Sequence, residues 1–357
     1  MSFIMPSSDK LTLLREGTAI PASPLALNAD RQWDIEYQKL VYRYYVAAGA
    51  GGVAVGVHTT QFEIRDSKHG LFQPLLELAA IELKELENQY NRPVIKVAGV
   101  CGKTEQAIKE AQTAKELGYD VVLLSLAALK NADDATLIQH CKEVSNVMPL
   151  IGFYLQPAVG GRILPYEFWR QFAEIENVVA IKMAPFNRYQ TLDVVRAVAM
   201  SGREEDITLY TGNDDNIIMD LLTPYRIDTP LGLKVLRIKG GLLGQWAVWT
   251  RTAVELLSAI HQLTETGRDI PVEWLEKNAA YTDANAVVFD AAHSFKGCIP
   301  GINEVLRRQG LLPTNYCLNP DEVLSPGQSE EIDRIYREHS WLTDDDFIKQ
   351  NLSDWKK

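Results

Sequence analysis

An amine and a phenol stand at the ends of two consecutive apolar runs, Ile151-Gly-Phe-Tyr154 and Val178-Val-Ala-Ile-Lys182. A lysine held among apolar side chains is desolvated, so its neutral form is favoured and it can attack a carbonyl carbon. A phenol beside it can pass protons to and from the resulting carbinolamine. A Thr59-Thr60 pair follows a third run, Gly52-Val-Ala-Val-Gly, and Gly212-Asn-Asp-Asp follows a fourth. The chemistry has a use for each. Lys182 would form an imine with a 2-oxo acid, and a C–C bond could then be made or broken at the adjacent carbon through an enamine. Tyr154 would shuttle the proton, a threonine hydroxyl would orient it, and N–H groups around Thr59-Thr60 would receive a carboxylate. Taken singly, each also has a plainer reading: a strand-end lysine reaching for solvent, a capping loop, a turn with its N-cap.

Such groups converge only if the chain gathers their strand ends. Short apolar runs alternate with helical patterns at roughly thirty-residue intervals, the period of βα units. The runs are Ala19–Leu25, Gly52–Val57, Val94–Ala98, Val121–Ser125, Leu150–Tyr154, Val178–Lys182, Thr208–Thr211 and Leu236–Gly240. Most are rich in leucine and β-branched residues, as parallel strands buried on both faces must be. Asp34 opens a helix that ends at Gly49, and Thr104 opens another that ends at Gly118. Eight strands with a helix after most of them predict an α/β fold, a (β/α)8 TIM barrel, with the strand C-termini facing the active site. An open doubly wound sheet is the alternative, and it more commonly has fewer strands. In a barrel the mouth collects His58, Thr59, Thr60, Ser125, Tyr154, Lys182, the stretch from Gly212 to Asp215, and Gly240-Gly241. Beyond the eighth strand the pattern turns helical over Trp246–Gln262, Val272–Asp290, Ile302–Gln309 and Glu330–Glu338, before a polar tail, Trp341–Lys357. The expected organisation is a catalytic barrel over residues 1–245 and a helical region with its tail over 246–357.

Composition narrows the classes. The 357 residues carry a net charge of -11, and no basic cluster tracks a phosphate backbone, so nucleic acid is not an expected partner. No apolar run reaches membrane-spanning length, and the first residues lack the pattern of a secretory leader. Cys101, Cys141, Cys298 and Cys317 show no C-x-x-C spacing, which fits reduced thiols in a cytoplasmic protein. Adjacent Asp214 and Asp215 do not readily converge on one ion, and His58 and His69 lack metal-ligand spacing. No metal or other cofactor is expected.

These residues and their order resemble the dihydrodipicolinate synthase / N-acetylneuraminate lyase family of class I aldolases, from about Gly17 to the helix near Arg337. The elements that carry the resemblance are Thr59-Thr60 after Gly52-Val-Ala-Val-Gly, Tyr154 with Pro157, Ile181-Lys182, and Tyr210-Thr-Gly212-Asn-Asp. The resemblance implies a barrel with C-terminal helices, a homo-oligomer (a dimer or a tetramer of tight dimers), and a lyase, aldolase or related dehydratase acting on pyruvate or another 2-oxo acid. By position it makes Lys182 the Schiff-base lysine, Tyr154 the proton relay and Thr59 the relay hydroxyl. It places Thr60 in the carboxylate-binding loop and Gly212 beside the pyruvyl group. Three departures stand against lysine-biosynthetic synthase activity. The family's Gly-Thr-Thr-Gly-Glu loop reads His58-Thr-Thr-Gln61-Phe62, and His58 stays a candidate for the site. The tyrosine pair after strand four is replaced by Ser125-Leu-Ala-Ala, and the arginine expected shortly after Tyr154 is absent, leaving Arg162 for a distal carboxylate. Two other readings remain: a phosphate-binding barrel using Gly212 and Gly240-Gly241, and a barrel that binds a 2-oxo acid with little catalysis.

Overall fold

Runs of leucine and β-branched residues without polar alternation need cover on both faces. They receive it in the computed structural model, which describes residues 5–267 and 269–357; the first four residues, part of the stretch read above for a leader, lie outside it. The strands are β1 (Ala19–Pro21), β2 (Gly52–Val55), β3 (Ile95–Val100), β4 (Val121–Leu124), β5 (Leu150–Leu155), β6 (Val178–Ala184), β7 (Thr208–Thr211), β8 (Tyr225–Thr229), β9 (Gly232–Leu236) and β10 (Gly240–Leu243). Eight form one sheet in the order β1-β10-β7-β6-β5-β4-β3-β2, and a parallel bridge joins Ala22, just past β1, to Ala54 of β2. With helices around it this is a nearly closed (β/α)8 barrel followed by C-terminal helices, the expected fold. Among the described residues no helix is long and apolar enough to cross a membrane.

The last barrel strand departs from the expectation. Leu236–Gly240 is not a strand; β10 begins at Gly240, and Leu236 ends an antiparallel hairpin of β8 and β9. The hairpin exposes Leu233 and Val235, so its apolar residues mimic a core run without being buried. Gly240 and Gly241 consequently lie inside the strand rather than beyond it.

Two compact units divide the chain, one joining the N-terminal segment through Thr18 to Ile95–Leu242, the other joining Ala19–Val94 to Leu243–Lys357. In the first, β3 to β7 pair in parallel and every residue of β5 and β6 is buried. The helix Tyr166–Ala173 lays Phe168, Trp169 and Phe172 inward, and Asn187 caps the helix Arg188–Ser201 by accepting from the Tyr189 and Gln190 amides. In the second, Asp34 caps the helix Ile35–Ala48, as expected, and the left-handed Gly49 ends it. The polar tail is also ordered there: Asp345–Trp355 is a helix, with Trp355 buried near Tyr44 and its carbonyl accepting from Arg43 Nη1 at 2.6 Å.

Candidate active site

Lys182 lies in the middle of β6, not at its end, and only 8% of it is exposed. Its Nζ sits 4.4 Å from the centroid of the Phe153 ring. On another side the backbone of Gly212 closes in: a Cβ there would stand 2.5 Å from Lys182 Cε and 2.9 Å from Ala184 Cβ, so no side chain fits. Both the ring face and the Asp214 carboxylate favour the ammonium, yet desolvation prevails and lowers Lys182 to about 8 from an ordinary 10.5. At neutral pH about a tenth of the amine is then uncharged, against roughly one part in three thousand for a solvated lysine.

The structure does not bring Tyr154 alongside that amine. Were β5 and β6 paired straight from Leu150 and Val178, Tyr154 would stand opposite Lys182. The register shifts between Leu150 and Ile151, Val179 is left over on β6, and Phe153 becomes the partner of Lys182. A one-residue slip exchanges the faces of every side chain beyond it. The Tyr154 ring therefore stacks 5.2 Å from Trp169 on the helix-facing side, where its hydroxyl accepts from the Leu164 amide at 3.1 Å. Burial raises the phenol above its ordinary value. It anchors the returning β5 loop. Tyr154→Phe is expected to cost about 1–2 kcal/mol through the orphaned amide and to leave reactivity at Lys182 within a few-fold; urea melts and covalent labelling of Lys182 would check both.

A buried network that residue types alone did not single out holds the loop after β7. Asp220 is 1% exposed. Its Oδ1 accepts from Arg188 Nη1 at 2.6 Å and Asn216 Nδ2 at 3.1 Å, and its Oδ2 from Thr211 Oγ1 and Asn213 Nδ2, each at 2.8 Å. Asn213 also accepts from the Phe186 amide, tying this loop to the chain after β6. One sequence signal pointed there: a carboxylate inside the apolar run Ile217-Ile-Met-Asp220-Leu-Leu must find partners or pay heavily in desolvation. Asp215 turns to Arg188 at 3.3 Å, whereas the charge of Asp214 is felt by Lys182.

Other candidates are engaged elsewhere. Arg162 Nη1 donates to the carbonyls of Leu129 at 3.2 Å and Ala132 at 2.7 Å, with Asp134 at 3.8 Å from Nη2, so this guanidinium closes loops instead of standing ready for a distal carboxylate. Gly212 N donates to Met183 O and Gly241 N to Thr18 O, which removes the amides on which a phosphate site would rest. In the second unit, His58, Thr59 and Thr60 form one 3-10 turn. Thr60 Oγ1 accepts from Gly56 N and donates to Ser23 O at 2.7 Å, and its amide bonds to Val57 O, so its donors build the loop and do not wait for a carboxylate. Thr59 is buried near Gly244 and the Phe289 ring, and the His58 ring lies edge-on to Phe62 at 6.0 Å. Asp283, Glu338 and His339 lie close enough to hold a metal ion, but Arg334 already bridges both carboxylates at 2.8 and 2.9 Å.

The parallel (β/α)8 barrel thus carries a buried, desolvated lysine on its sixth strand. The dihydrodipicolinate synthetase family matches residues 25–223, more than half of the chain, and the chain belongs to that family. Among curated relatives, the 4-hydroxy-tetrahydrodipicolinate synthase of Alkaliphilus oremlandii is 32% identical over 117 residues, 32% of this chain and 38% of that protein. A second such synthase, from Halalkalibacterium halodurans, is 26% identical over 210 residues, 58% of this chain and 66% of that one. These alignments thus span less than two thirds of the relatives' length. Among solved structures, a monomeric dihydrodipicolinate synthase variant superposes with a TM-score of 0.71 at 19% identity, covering 93% of this chain and 99% of its own. YagE, a prophage protein of the dihydrodipicolinic acid synthase family from E. coli K12 solved with pyruvate, gives 0.70 at 17% identity, covering 91% and 99%. At these identities the structures show the shared fold alone.

Proposed function

We propose that this protein is a class I lyase or aldolase, or a dehydratase using the same intermediate, that forms an imine between Lys182 and pyruvate or another 2-oxo acid. The observation that carries this reading is an amine buried on β6 and lowered to about 8; membership of the family supports it. The neutral amine attacks the carbonyl carbon, water leaves, and the iminium withdraws electrons from the neighbouring carbon, where a C–C bond is made or broken. The bare Gly212 backbone lets the Lys182 stem pass close against it, where a Cβ would strike Cε, and Phe153 gives the amine an apolar floor. Thr59 keeps, in this reading, the hydroxyl role that the resemblance assigns it. Tyr154 acts indirectly, by holding the β5 loop. The altered His58-Thr-Thr-Gln61-Phe62 loop and Ser125 after β4 weigh against lysine-biosynthetic synthase activity. A dimer or tetramer, and a cytoplasmic setting, belong to the same proposal.

Incubation with pyruvate and borohydride, then digestion, should place the reduced adduct on the Lys182 peptide. No adduct with any of a panel of 2-oxo acids would overturn the reading. The trapping rate carries a pH signature. Lys182 is an ammonium below about 8 and an amine above it, so the rate should rise with pH to a plateau with its midpoint near 8 rather than near 10.5. A midpoint above 10 would mean that the reacting lysine is a solvated one.

A further inference from the structure

A two-stranded hairpin has two faces, and so short a ladder holds in water only when a neighbouring element covers one of them. The helix Arg188–Ser201 lies against β8 and β9. On the covered face Ile227 and Leu236 are buried, and Lys234 is paired with Glu204. The outer face carries the alternate residues. Arg226 stands opposite Val235 and Asp228 opposite Leu233, and residues directly opposite one another share a face. All four are exposed, with Leu233 at 56% and Val235 at 51%. Arg237, next along that face, is turned to the Leu222 carbonyl at 2.9 Å. An exposed strand is ordinarily guarded by charges of its own. Here the outward residues of β9 are apolar and the charges stand on β8, leaving one apolar row beside one charged row.

The two rows share a centre. Arg226 and Asp228 flank Ile227, Leu233 and Val235 flank Lys234, and Ile227 pairs with Lys234. A two-fold axis crossing the strands at that pair lays the outer face on its own copy. Arg226 of each copy then meets Asp228 of the other, and Leu233 of each meets Val235 of the other. Two ion pairs and two apolar contacts form together, with no like charges opposed. We propose that the outer face of the β8–β9 hairpin is a contact between two copies of this chain, joined about that axis. The inference rests on the oligomer proposed above, to which it assigns a surface, and is independent of the chemistry at Lys182. A second copy is the occupant because the pattern is its own complement, a property that a foreign partner gives no reason for. Sheets packed face to face stand about 10 Å apart, a gap that leucine and valine fill from both sides.

Sedimentation velocity of the full chain over a concentration series, at low and at high salt, tests the contact. Leu233→Asp should raise the dissociation constant of the hairpin-linked species by about a hundredfold or more, because a carboxylate enters the dry row twice. Arg226→Asp or Asp228→Arg alone opposes like charges at both symmetric positions and should weaken association by about tenfold, the loss shrinking at high salt. The double variant carrying both reversals should return to within a few-fold of the wild type, since the reversed row is again its own complement. A fold merely damaged by the substitutions would show no such recovery. An oligomer unchanged by Leu233→Asp and by both single reversals would overturn this surface and leave the oligomer reading standing. A double variant as weak as the single ones would overturn the two-fold pairing. A wild-type chain that stays a monomer at every concentration would overturn the oligomer reading and this contact with it.

Discussion

Replacing Lys182 with alanine is expected to abolish the borohydride adduct and to lower turnover of any substrate by at least about 10³-fold, since the covalent route disappears with the nucleophile. Lys182→Met separates chemistry from folding, because it keeps the apolar stem. A lysine whose native value is about 8 binds fewer protons folded than unfolded between 8 and 10.5. Stability from this group therefore rises with pH through that window and is at its lowest below it. At pH 7 the native state carries the full penalty, so Lys182→Met should be more stable than the wild type by up to about 3 kcal/mol. The gain should vanish above pH 10. Urea unfolding at the two pH values reads both signs, and a methionine variant less stable than wild type at pH 7 would show that the amine is not held against its solvation. The combination of gained stability and lost chemistry is what a functional residue under strain predicts.

The second large effect is expected at Asp220, which touches neither the amine nor any reacting atom. Asp220→Ala leaves donors on Thr211, Asn213, Asn216 and Arg188 without their acceptor, and Thr211 and Asn213 are fully buried. A loss of about 3–5 kcal/mol follows from breaking a buried charged network. Asp220→Asn retains the volume and one acceptor and should lose less. The carboxyl is raised by its burial and lowered in turn by Arg188, so the network depends on that pairing. Because the same donors frame Gly212 and Asp214, the surviving native protein should also label more slowly at Lys182. An unchanged urea midpoint in Asp220→Ala would refute the structural part of this account.

Much was legible before any coordinates. The repeat of buried apolar runs located seven of the eight parallel strands, because only a sheet covered on both faces accepts unbroken leucine and valine. Asp34 and Gly49 marked their helix ends, because a cap side chain and a left-handed glycine satisfy the orphan amides and carbonyls there. Lys182 was legible as a desolvated amine only once its run was read as a buried barrel strand, since taken singly it reads equally as a lysine reaching for solvent. The β8–β9 hairpin was not, since an exposed apolar strand and a buried one read alike in composition. Nor were the engagements of Thr60 and Arg162, whose donors are taken by carbonyls remote from the residues that suggested their roles.

The opening pair of residues marks the division most sharply. Sequence by itself determined that an amine and a phenol lie on neighbouring buried runs, and which barrel strands carry them. It could not determine which faces they occupy. Side chains alternate along a strand with a period of two, and the single unpaired residue Val179, between Val178 and Ala180 of β6, changes the parity of everything after it. That register shift turns Tyr154 toward Trp169 and sets Phe153 against Lys182, a choice made by packing between strands and written in no local pattern.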